Sequence, residues 1–320
     1  MKRQKSININ EEKNTNIYDY NLIKRSELET FKLIDSFQVM KRAAKSSFEH
    51  ITKSKKFKNI LIICGPGNNG GDGLLIAKHF YENNMNVTIY APLEIGKTED
   101  SKKALNLIEK NNLFKEKVTF NEYDLVIDCL FGVGFNRSFS NDLLIFINEL
   151  NNSKLNIISI DMPSGVYTDN GNVISKAIKA NTTLTFHRLK PGLILLPGKE
   201  FSGNIKILDI GLTDLDNKTK IHILKPPKLK EIKITDHKYK RGTTYIIAGK
   251  ELIGASKLAT MAISQSSLRS GAGVSKIFIQ KNEINYFKPH ILEEMIVRYD
   301  NIDVLKDQIK NLNIDCLIYG

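Results

Sequence analysis

The feature that most constrains this chain is a repeated alternation of short apolar runs with amphipathic segments between residues 59 and 160. Hydrophobic periodicity predicts strands at 59–64, 87–90, 125–129 and 157–160, and helices at 74–81, 101–110 and 142–151. Strands that alternate with helices form βαβ units, and such units build a mostly parallel sheet. The sequence therefore predicts a three-layer α/β sandwich, preceded by helices between residues 25 and 53.

The pattern changes after Phe186. Glycines and prolines interrupt short pieces at 190–198 and 203–210 that are interpreted as β-like, and a basic stretch containing Pro226 and Pro227 predicts an exposed linker. A second α/β pattern follows, with strands predicted at 243–248, 276–279 and 316–319 and a helix at 255–270. The predicted organisation is a domain over residues 1–224 (about 1–20 loose), a linker at 225–236 and a domain over 237–320.

Composition excludes several classes of protein. The 320 residues carry a net charge of +12, but the lysines are scattered and aromatic residues do not interleave with them, so a nucleic-acid partner is not expected. The three cysteines form no CxxC pair, which gives no support to a zinc or dithiol site. No apolar stretch has the length of a membrane span or a signal peptide, and a cytoplasmic location is expected.

The loop after the first strand carries the first candidate site. Its sequence, GPGNNGGDG at 65–73, contains a GxGxxG pattern, which is typical of a dinucleotide-binding turn. However, no acidic residue ends the second strand at Tyr90, where a dehydrogenase would bind ribose. The loop also carries three polar side chains, Asn68, Asn69 and Asp72. A turn that binds pyrophosphate needs only its backbone N–H groups, so these side chains are a second argument against a dehydrogenase.

Carboxylates end two further strands of the predicted sheet. Asp128 closes one apolar run and is followed by a glycine-rich loop to Arg137, and Asp161 closes the next, three residues before Ser164. Carboxyl ends of parallel strands meet at one edge, so these groups are expected to share a crevice with Asn69. Carboxylate, amide and hydroxyl oxygens suit a hard cation, and the lack of cysteine or histidine among them argues against zinc or iron.

The ordered blocks NNGGDG (68–73), DCLFGVG (128–134), DMPSG (161–165), KPG (190–192) and PG (197–198) resemble the NAD(P)H-hydrate epimerase family. The resemblance extends from Phe37 to Leu212. It implies a Rossmann-like three-layer sandwich with a mostly parallel sheet, and a homodimer or higher homo-oligomer. It also implies interconversion of the R and S forms of NADHX and NADPHX, in which water has added to the nicotinamide ring.

The resemblance also assigns residues to roles. It implies one potassium ion per site, held by Asn69, Asp128 and Ser164. Epimerisation needs a positioned acid/base group, and the hypothesis is that Asp161 is that group, with Lys190 or the ion tuning it. Lys190 is the second candidate catalytic residue, and the alternative is that it is a surface lysine before a turn. A departure is Val133, where the family usually has threonine. The implied substrate contacts are Asn68, Asn69, Gly70, Gly71, Asp72, Gly132, Val133, Gly134, Phe135, Asn136, Arg137, Ser138 and Asp161.

The second pattern resembles the opening of the ADP/ATP-dependent NAD(P)H-hydrate dehydratases, which have a ribokinase-like fold. The matching blocks are IGA at 253–255 and RSGAG at 269–273, and the resemblance places Ala255 near the hydrate. Later blocks of that family do not follow. A partial domain without dehydratase activity is therefore expected, and ADP or ATP with Mg²⁺ would serve only a complete one.

Two other functions remain open from the sequence. A nicotinamide-dependent oxidoreductase is supported by GxGxxG alone, and a hydride-transfer assay would distinguish it. A non-catalytic nucleotide- or RNA-binding scaffold is compatible with the basic charge but leaves the strand-end carboxylates without a role. A steep salt dependence of nucleic-acid binding would support that scaffold.

Overall fold

The computed structural model describes residues 16–54, 57–224, 231, 233–247, 253–290 and 294–319. The chain divides into two compact units, Met1–Lys225 and Pro226–Gly320. Residues 1–15 and most of the predicted linker at 225–236 lie outside the described residues.

The first unit consists of eight described strands and six described α-helices. The strands are β1 (Asn16–Ile17), β2 (Asn59–Cys64), β3 (Asn86–Tyr90), β4 (Leu125–Cys129), β5 (Asn156–Ile160), β6 (Thr182–Phe186), β7 (Asn204–Leu208) and β8 (Ile221–His222). The helices are α1 (Tyr20–Phe31), α2 (Ser36–Ser54), α3 (Asn68–Glu82), α4 (Glu99–Asn106), α5 (Asn141–Asn152) and α6 (Lys199–Ser202).

Six of these strands form one parallel sheet in the order β3-β2-β4-β5-β6-β7. The strand order reverses between β2 and β4, because the chain runs from β2 outward to β3 and then returns to the other side of β2. A crevice opens beyond the carboxyl ends of the strands at such a reversal, and ligands bind there in open α/β sheets. The topology therefore places a candidate site after Cys64 and Cys129.

The alternation of side chains along β2 divides the core into two layers. Ile60, Ile62 and Cys64 pack in a cluster with side chains of α2, α3 and α4, whereas Leu61 and Ile63 pack on the α5 side. Both faces of a central parallel strand are covered, which explains its unbroken apolar sequence. The predicted three-layer sandwich with a mostly parallel sheet is confirmed.

The prediction that residues up to about 20 are loose is wrong for the described part of that segment. Asn16–Ile17 pairs with Ile221–His222 as an antiparallel ribbon, and Tyr18 is fully buried. Its backbone N–H also donates to the carbonyl of Leu189 at 2.9 Å. The pairing partners lie some 200 residues away in sequence, so local polarity could not reveal them.

The structure differs from the sequence prediction at two further places after residue 160. The 190–198 segment is not β-like, because it forms a 3-10 turn at Pro191–Leu193 and leads into α6. A strand that the sequence did not indicate, β6, lies between β5 and β7. Its sequence TTLTF alternates threonine with apolar residues in a buried position, and buried threonine hydroxyls are satisfied by hydrogen bonds such as that from Thr183 to the Ser202 carbonyl.

The described elements of the second unit are β9 (Thr243–Ile247), α7 (Ile253–Arg269), β10 (Val274–Gln280), α8 (Ile284–Phe287), β11 (Met295–Tyr299), α9 (Ile302–Lys310) and β12 (Cys316–Tyr319). The strands form a smaller parallel sheet in the order β11-β10-β9-β12. The β11 and α9 elements were not predicted from the sequence. None of the described helices of the chain combines the length and the hydrophobicity that a membrane span needs.

Candidate functional site

A cavity of about 500 Å³ lies at the carboxyl ends of the first unit's strands. It is bounded by the segments that follow β2, β4 and β5 and by the first two helices. That volume is within the usual range for small-molecule binding sites. Its lining includes Tyr20, Lys24, Glu27, Phe31, Pro66, Gly67, Asn68, Asn69, Asp72, Thr98, Asp100, Gly132, Val133, Gly134, Phe135, Asn136, Arg137 and Asp161.

The NNGGDG block forms the first turns of α3, where the sequence predicted a loop and a helix beginning only at residue 74. A Cβ on Gly70 would lie 1.9 Å from the Gly65 carbonyl oxygen, and one on Gly73 would lie 2.7 Å from Cys129 Cβ. Glycine is therefore required for the helix to start this close to the sheet. Gly67, the N-cap, supplies no side-chain bond, so the first N–H groups of α3 remain available at the cavity.

Asn69 places an unsatisfied amide against the cavity. Both its Oδ1 and its Nδ2 are buried and have no hydrogen-bond partner among the residues that the structure describes. A Cβ on Gly132 would lie 3.2 Å from both Asn69 Cγ and Asp161 Oδ2, so this glycine keeps open the space between the two side chains. Buried polar groups are normally paired, and an unpaired amide at a cavity wall indicates a group that a ligand or ion satisfies.

Asp128, the penultimate residue of β4, is fully buried and is not part of the cavity lining. Its carboxylate accepts hydrogen bonds from Ser159 Oγ at 2.7 Å, from Ser164 N at 2.9 Å and from Ser164 Oγ at 2.6 Å. Burial raises the pKa of the Asp128 carboxyl, and the hydrogen bonds from Ser164 and Ser159 oppose that rise. The Phe131 N–H donates to Ser164 Oγ at 2.8 Å, which ties this group to the loop that carries Gly132.

The three residues predicted to bind a metal contribute an amide, a carboxylate and a hydroxyl, and all three oxygens are buried. This donor set fits a hard cation held by oxygen ligands, with the Asn69 amide oxygen as the group left unsatisfied without one. Among the described residues, no group of three or more histidine, cysteine, aspartate or glutamate side chains is arranged to hold a metal.

Asp161 and Lys190 form a buried ion pair with a distance of 2.7 Å between Nζ and Oδ1. Lys190 is 1% exposed, so the alternative that it is a surface lysine is wrong. Its other two donated hydrogen bonds, both 2.8 Å, reach Thr185 Oγ1 and the Phe186 carbonyl, and the ammonium is therefore saturated. Lys190 does not line the cavity; it fixes the position of the Asp161 carboxylate through the hydrogen bond to Oδ1.

The backbone of Asp161 is in the left-handed region, with φ of +66°. Such a conformation is uncommon for a residue other than glycine, and strained residues of this kind cluster at functional sites. The Val133 N–H donates to Asp161 Oδ2 at 3.3 Å, while Oδ1 is held by Lys190. One carboxylate oxygen is thus anchored, and the other borders the space beside Gly132.

The first helix contributes cavity residues that sequence reasoning missed. Tyr20, Lys24, Glu27 and Phe31 line the cavity from α1, and Tyr20 Cε2 lies 3.2 Å from where a Cβ on Gly134 would be. Their spacing of three to four residues would have revealed a helical face. No motif marks that face as functional, because its role depends on how α1 docks.

Several predicted contacts lie away from the cavity. Gly70 and Gly71 are buried in packing contacts of α3, and Ser138 is exposed on the loop beyond Arg137. Arg137 does line the cavity, and its guanidinium lies 5.2 Å from the centre of the Phe131 ring. Ala255 lies in α7 of the second unit, and its side chain is outside the described residues.

A parallel three-layer α/β fold with a polar cavity at the strand-order reversal defines a small-molecule or nucleotide-binding protein. A family profile described as YjeF-related protein N-terminus matches residues 36–192. The crystal structure of the yeast protein ynu0 (YNL200c) superposes with a TM-score of 0.51 at 21% identity, covering 60% of this chain and 87% of that one. That likeness concerns the fold.

Curated relatives agree with the profile. The NAD(P)H-hydrate epimerase of Oenococcus oeni is 33% identical over 184 residues, 56% of this chain and 88% of that protein. That of Leuconostoc kimchii is 37% identical over 177 residues, 54% and 79%. The bifunctional NAD(P)H-hydrate repair enzyme Nnr of Dictyoglomus turgidum is 30% identical over 300 residues, spanning 86% of this chain but only 57% of that enzyme. The chain belongs to the NAD(P)H-hydrate epimerase family.

Proposed function

We propose that the first unit interconverts the R and S hydrates of NADH and NADPH and so repairs damaged nicotinamide cofactors. The observation that carries this proposal is the cavity-facing Asp161 carboxylate, anchored through one oxygen by the saturated ammonium of Lys190 at 2.7 Å. The names of the Oenococcus, Leuconostoc and Dictyoglomus relatives support the same reaction.

The chemistry of the hydrate explains why such a carboxylate is needed. The hydrated carbon bears a hydroxyl group and the ring nitrogen, so inversion requires either loss and return of the hydroxyl or opening and closure of the ring. Both routes need a positioned group that accepts and returns a proton. Asp161 Oδ2 borders the open space beside Gly132 and is suited to that role, while Lys190 fixes its position.

The rest of the cavity suits a dinucleotide hydrate. The free N–H groups at the start of α3 attract an anionic pyrophosphate, and Arg137 and Lys24 are cations in the same lining. Asn68, Asn69 and Asp72 from α3, together with residues 132–137 from the loop after β4, supply polar and backbone contacts. Asp161 then lies among the groups that would surround the ring.

We further propose that Asn69, Asp128 and Ser164 hold a potassium ion. The unsatisfied amide of Asn69 and the buried oxygens of the other two residues support this assignment. A bound cation would supply positive charge that fixes the substrate oxygen atoms. The protein's own contribution is the network in which Ser159 and Ser164 hold the Asp128 carboxylate in place.

The decisive experiment is conversion of the purified R hydrate of NADH to the S form, coupled to an independent S-specific dehydratase, with potassium or with sodium chloride. We expect acceleration by the wild-type protein in potassium. The Asp161→Asn variant should lose turnover while keeping its circular dichroism spectrum, because asparagine retains an oxygen that accepts from Lys190. Absence of acceleration by folded wild-type protein would refute the epimerase.

A second proposal concerns residues after 225: that they derive from the ADP/ATP-dependent dehydratase half of bifunctional repair enzymes and have its ribokinase-like fold. The parallel β11-β10-β9-β12 sheet supports it. The Dictyoglomus enzyme matches 86% of the chain, which is more than the first unit contains. Calorimetric titration of the full chain with ADP and Mg²⁺ tests whether the nucleotide binds.

The family resemblance and exposed apolar side chains lead to a proposal of self-association. Ile174, Leu195 and Leu196 are 59%, 47% and 68% exposed on the first unit. Large exposed apolar side chains are typical of association surfaces. Light scattering coupled to size exclusion should give a mass of twice 36.3 kDa or more, and a Leu196→Glu variant should shift it toward the monomer.

A further inference from the structure

Four carboxylates line the cavity, and they differ in whether a cation accompanies them. Glu27 comes from α1, Asp72 from α3, Asp100 from α4 and Asp161 from the end of β5. Four negative charges around one cavity repel one another, so the arrangement is stable only where positive charges or bound protons compensate for them.

Three of the four carboxylates have a lysine of their own. Lys24 Nζ lies 2.7 Å from Glu27, Lys103 Nζ lies 3.3 Å from Asp100, and Lys190 Nζ lies 2.7 Å from Asp161. Each of these pairs places a positive charge beside its carboxylate.

Asp72 differs from the other three. Among the described residues, no lysine, arginine or histidine forms an ion pair with it, and none donates a hydrogen bond to its carboxyl group. The groups that act on it electrostatically are Asp161, Glu27 and Asp100, all of them anionic. Burial, followed by repulsion from these three carboxylates, raises the pKa of the Asp72 carboxyl well above its usual range.

Two carboxyl groups in one site take opposite proton-transfer roles when their surroundings favour opposite protonation states. Asp161 has a lysine ammonium at 2.7 Å, whereas the charged groups that act most strongly on Asp72 are carboxylates. We propose that Asp72 is the proton donor of the epimerase site, acting on the substrate hydroxyl, with Asp161 as the proton acceptor. This inference rests on the proposed epimerase function and assigns the acid, whereas that function requires only the base.

The carboxylic acid of Asp72 protonates the hydroxyl on the hydrated carbon, the carbon–oxygen bond breaks, and its electron pair leaves with water. The lone pair of the ring nitrogen forms the carbon–nitrogen double bond in the resulting cation. Water then adds to the opposite face, and Asp161 takes its proton. That proton returns through solvent water from Asp161 to Asp72, which restores the starting state.

The test is the pH dependence of kcat/KM for the R hydrate in potassium buffer, for wild-type protein, Asp72→Asn and Asp100→Asn. Wild-type activity should fall at high pH as Asp72 loses its proton. Asp72→Asn should lower kcat about 10²-fold or more, within the range for removal of a general acid, and should lack the alkaline limb. Asp100→Asn removes a carboxylate of the same cavity that has its own lysine, and it should keep the alkaline limb.

The outcomes separate this proposal from the function on which it rests. Wild-type protein without epimerase activity would refute the proposed function. An active wild type together with an Asp72→Asn variant that keeps its kcat, or loses rate while keeping the alkaline limb, would overturn the acid assignment alone.

A second measurement does not depend on how the variant folds. Carboxyl ¹³C NMR of wild-type protein labelled at aspartate should show a resonance that titrates well above the ordinary aspartate range and that shifts when a hydrate analogue binds. Burial also raises the pKa of Asp128, but that carboxyl does not line the cavity and its resonance should not respond to the analogue. If no aspartate resonance both titrates above the ordinary range and responds to the analogue, Asp72 is not the acid.

Discussion

The hydroxyl of Tyr18 donates to Asp216 Oδ1 at 3.0 Å across 198 residues of sequence, and it accepts the N–H of Leu215 at 2.7 Å. Arg188 holds the same carboxylate through Nε at 2.9 Å and through a second nitrogen at 2.8 Å. This network fixes the segment that leads into α1. Because α1 supplies Tyr20 and Lys24 to the cavity, the network links the chain's early residues to the site.

Removal of the Tyr18 hydroxyl should destabilise the first unit. The Tyr18→Phe variant leaves the Leu215 N–H without its acceptor, and such a loss costs about 1–3 kcal/mol. Urea unfolding followed by circular dichroism measures the difference. Tyr81→Phe, on an exposed side chain of α3, is the matched control. Equal midpoints for the two variants would show that the Tyr18 bond adds nothing to stability.

The Asp161–Lys190 pair should be costly to break from the lysine side. Lys190→Met removes the only ammonium at that carboxylate among the described residues, and uncompensated buried charges of this kind cost about 3–5 kcal/mol. Thermal unfolding near pH 7 should show the loss, and epimerase turnover should fall with it.

The double variant Lys190→Met/Asp161→Asn tests the cause of that loss. It removes the unpaired charge, so it should recover part of the stability but none of the turnover. Lys199→Met, at an exposed position in α6, is the control. A double variant no more stable than Lys190→Met would show that lost packing, not unpaired charge, explains the effect.

How far the sequence predicts this site depends on how local each contact is. Asp128 and Asp161 could be placed because each ends an apolar strand, and strand ends of a parallel sheet converge. Lys190 could not, since two of its three acceptors, Thr185 Oγ1 and the Phe186 carbonyl, belong to β6, and β6 itself was not predicted. Tyr18 illustrates the same limit, because its partners lie almost 200 residues away.

His187 should make the first unit acid-sensitive. Burial, with repulsion from Arg188 and Lys190, lowers its pKa to about 4, and its buried Nε2 has no hydrogen-bond partner within the described part of the chain. As the pH falls, this histidine is therefore protonated near pH 6.5 in the unfolded chain but only near pH 4 in the folded chain. Stability is full above pH 6.5 and falls as pH decreases toward 4, by about 3 kcal/mol for a shift of this size.

The His187→Asn variant isolates that contribution. His187 has φ of +64°, a conformation that asparagine tolerates better than most residues, so the backbone should be retained. Unfolding free energies measured from pH 7 to pH 4 should decline less in the variant than in the wild type. His222→Asn removes an exposed histidine and should leave the slope unchanged. Parallel curves for wild type and His187→Asn would show that other groups cause the acid sensitivity.

Gly132 should control access to the space between Asn69 and Asp161. The Cβ introduced by Gly132→Ala would lie 3.2 Å from Asn69 Cγ and from Asp161 Oδ2, tighter than ordinary van der Waals contact. The loop around residue 132 can yield by a few tenths of an ångström, so we expect a folded protein whose KM for the R hydrate rises about tenfold, the effect of losing roughly 1.4 kcal/mol of binding. Steady-state kinetics at several potassium concentrations measures the change.

Gly67→Ala, where a Cβ would meet no atom within 4 Å, is the steric control for stability. If Gly132→Ala binds the hydrate and potassium as the wild type does, the space beside Asp161 is not where the ring and the ion meet.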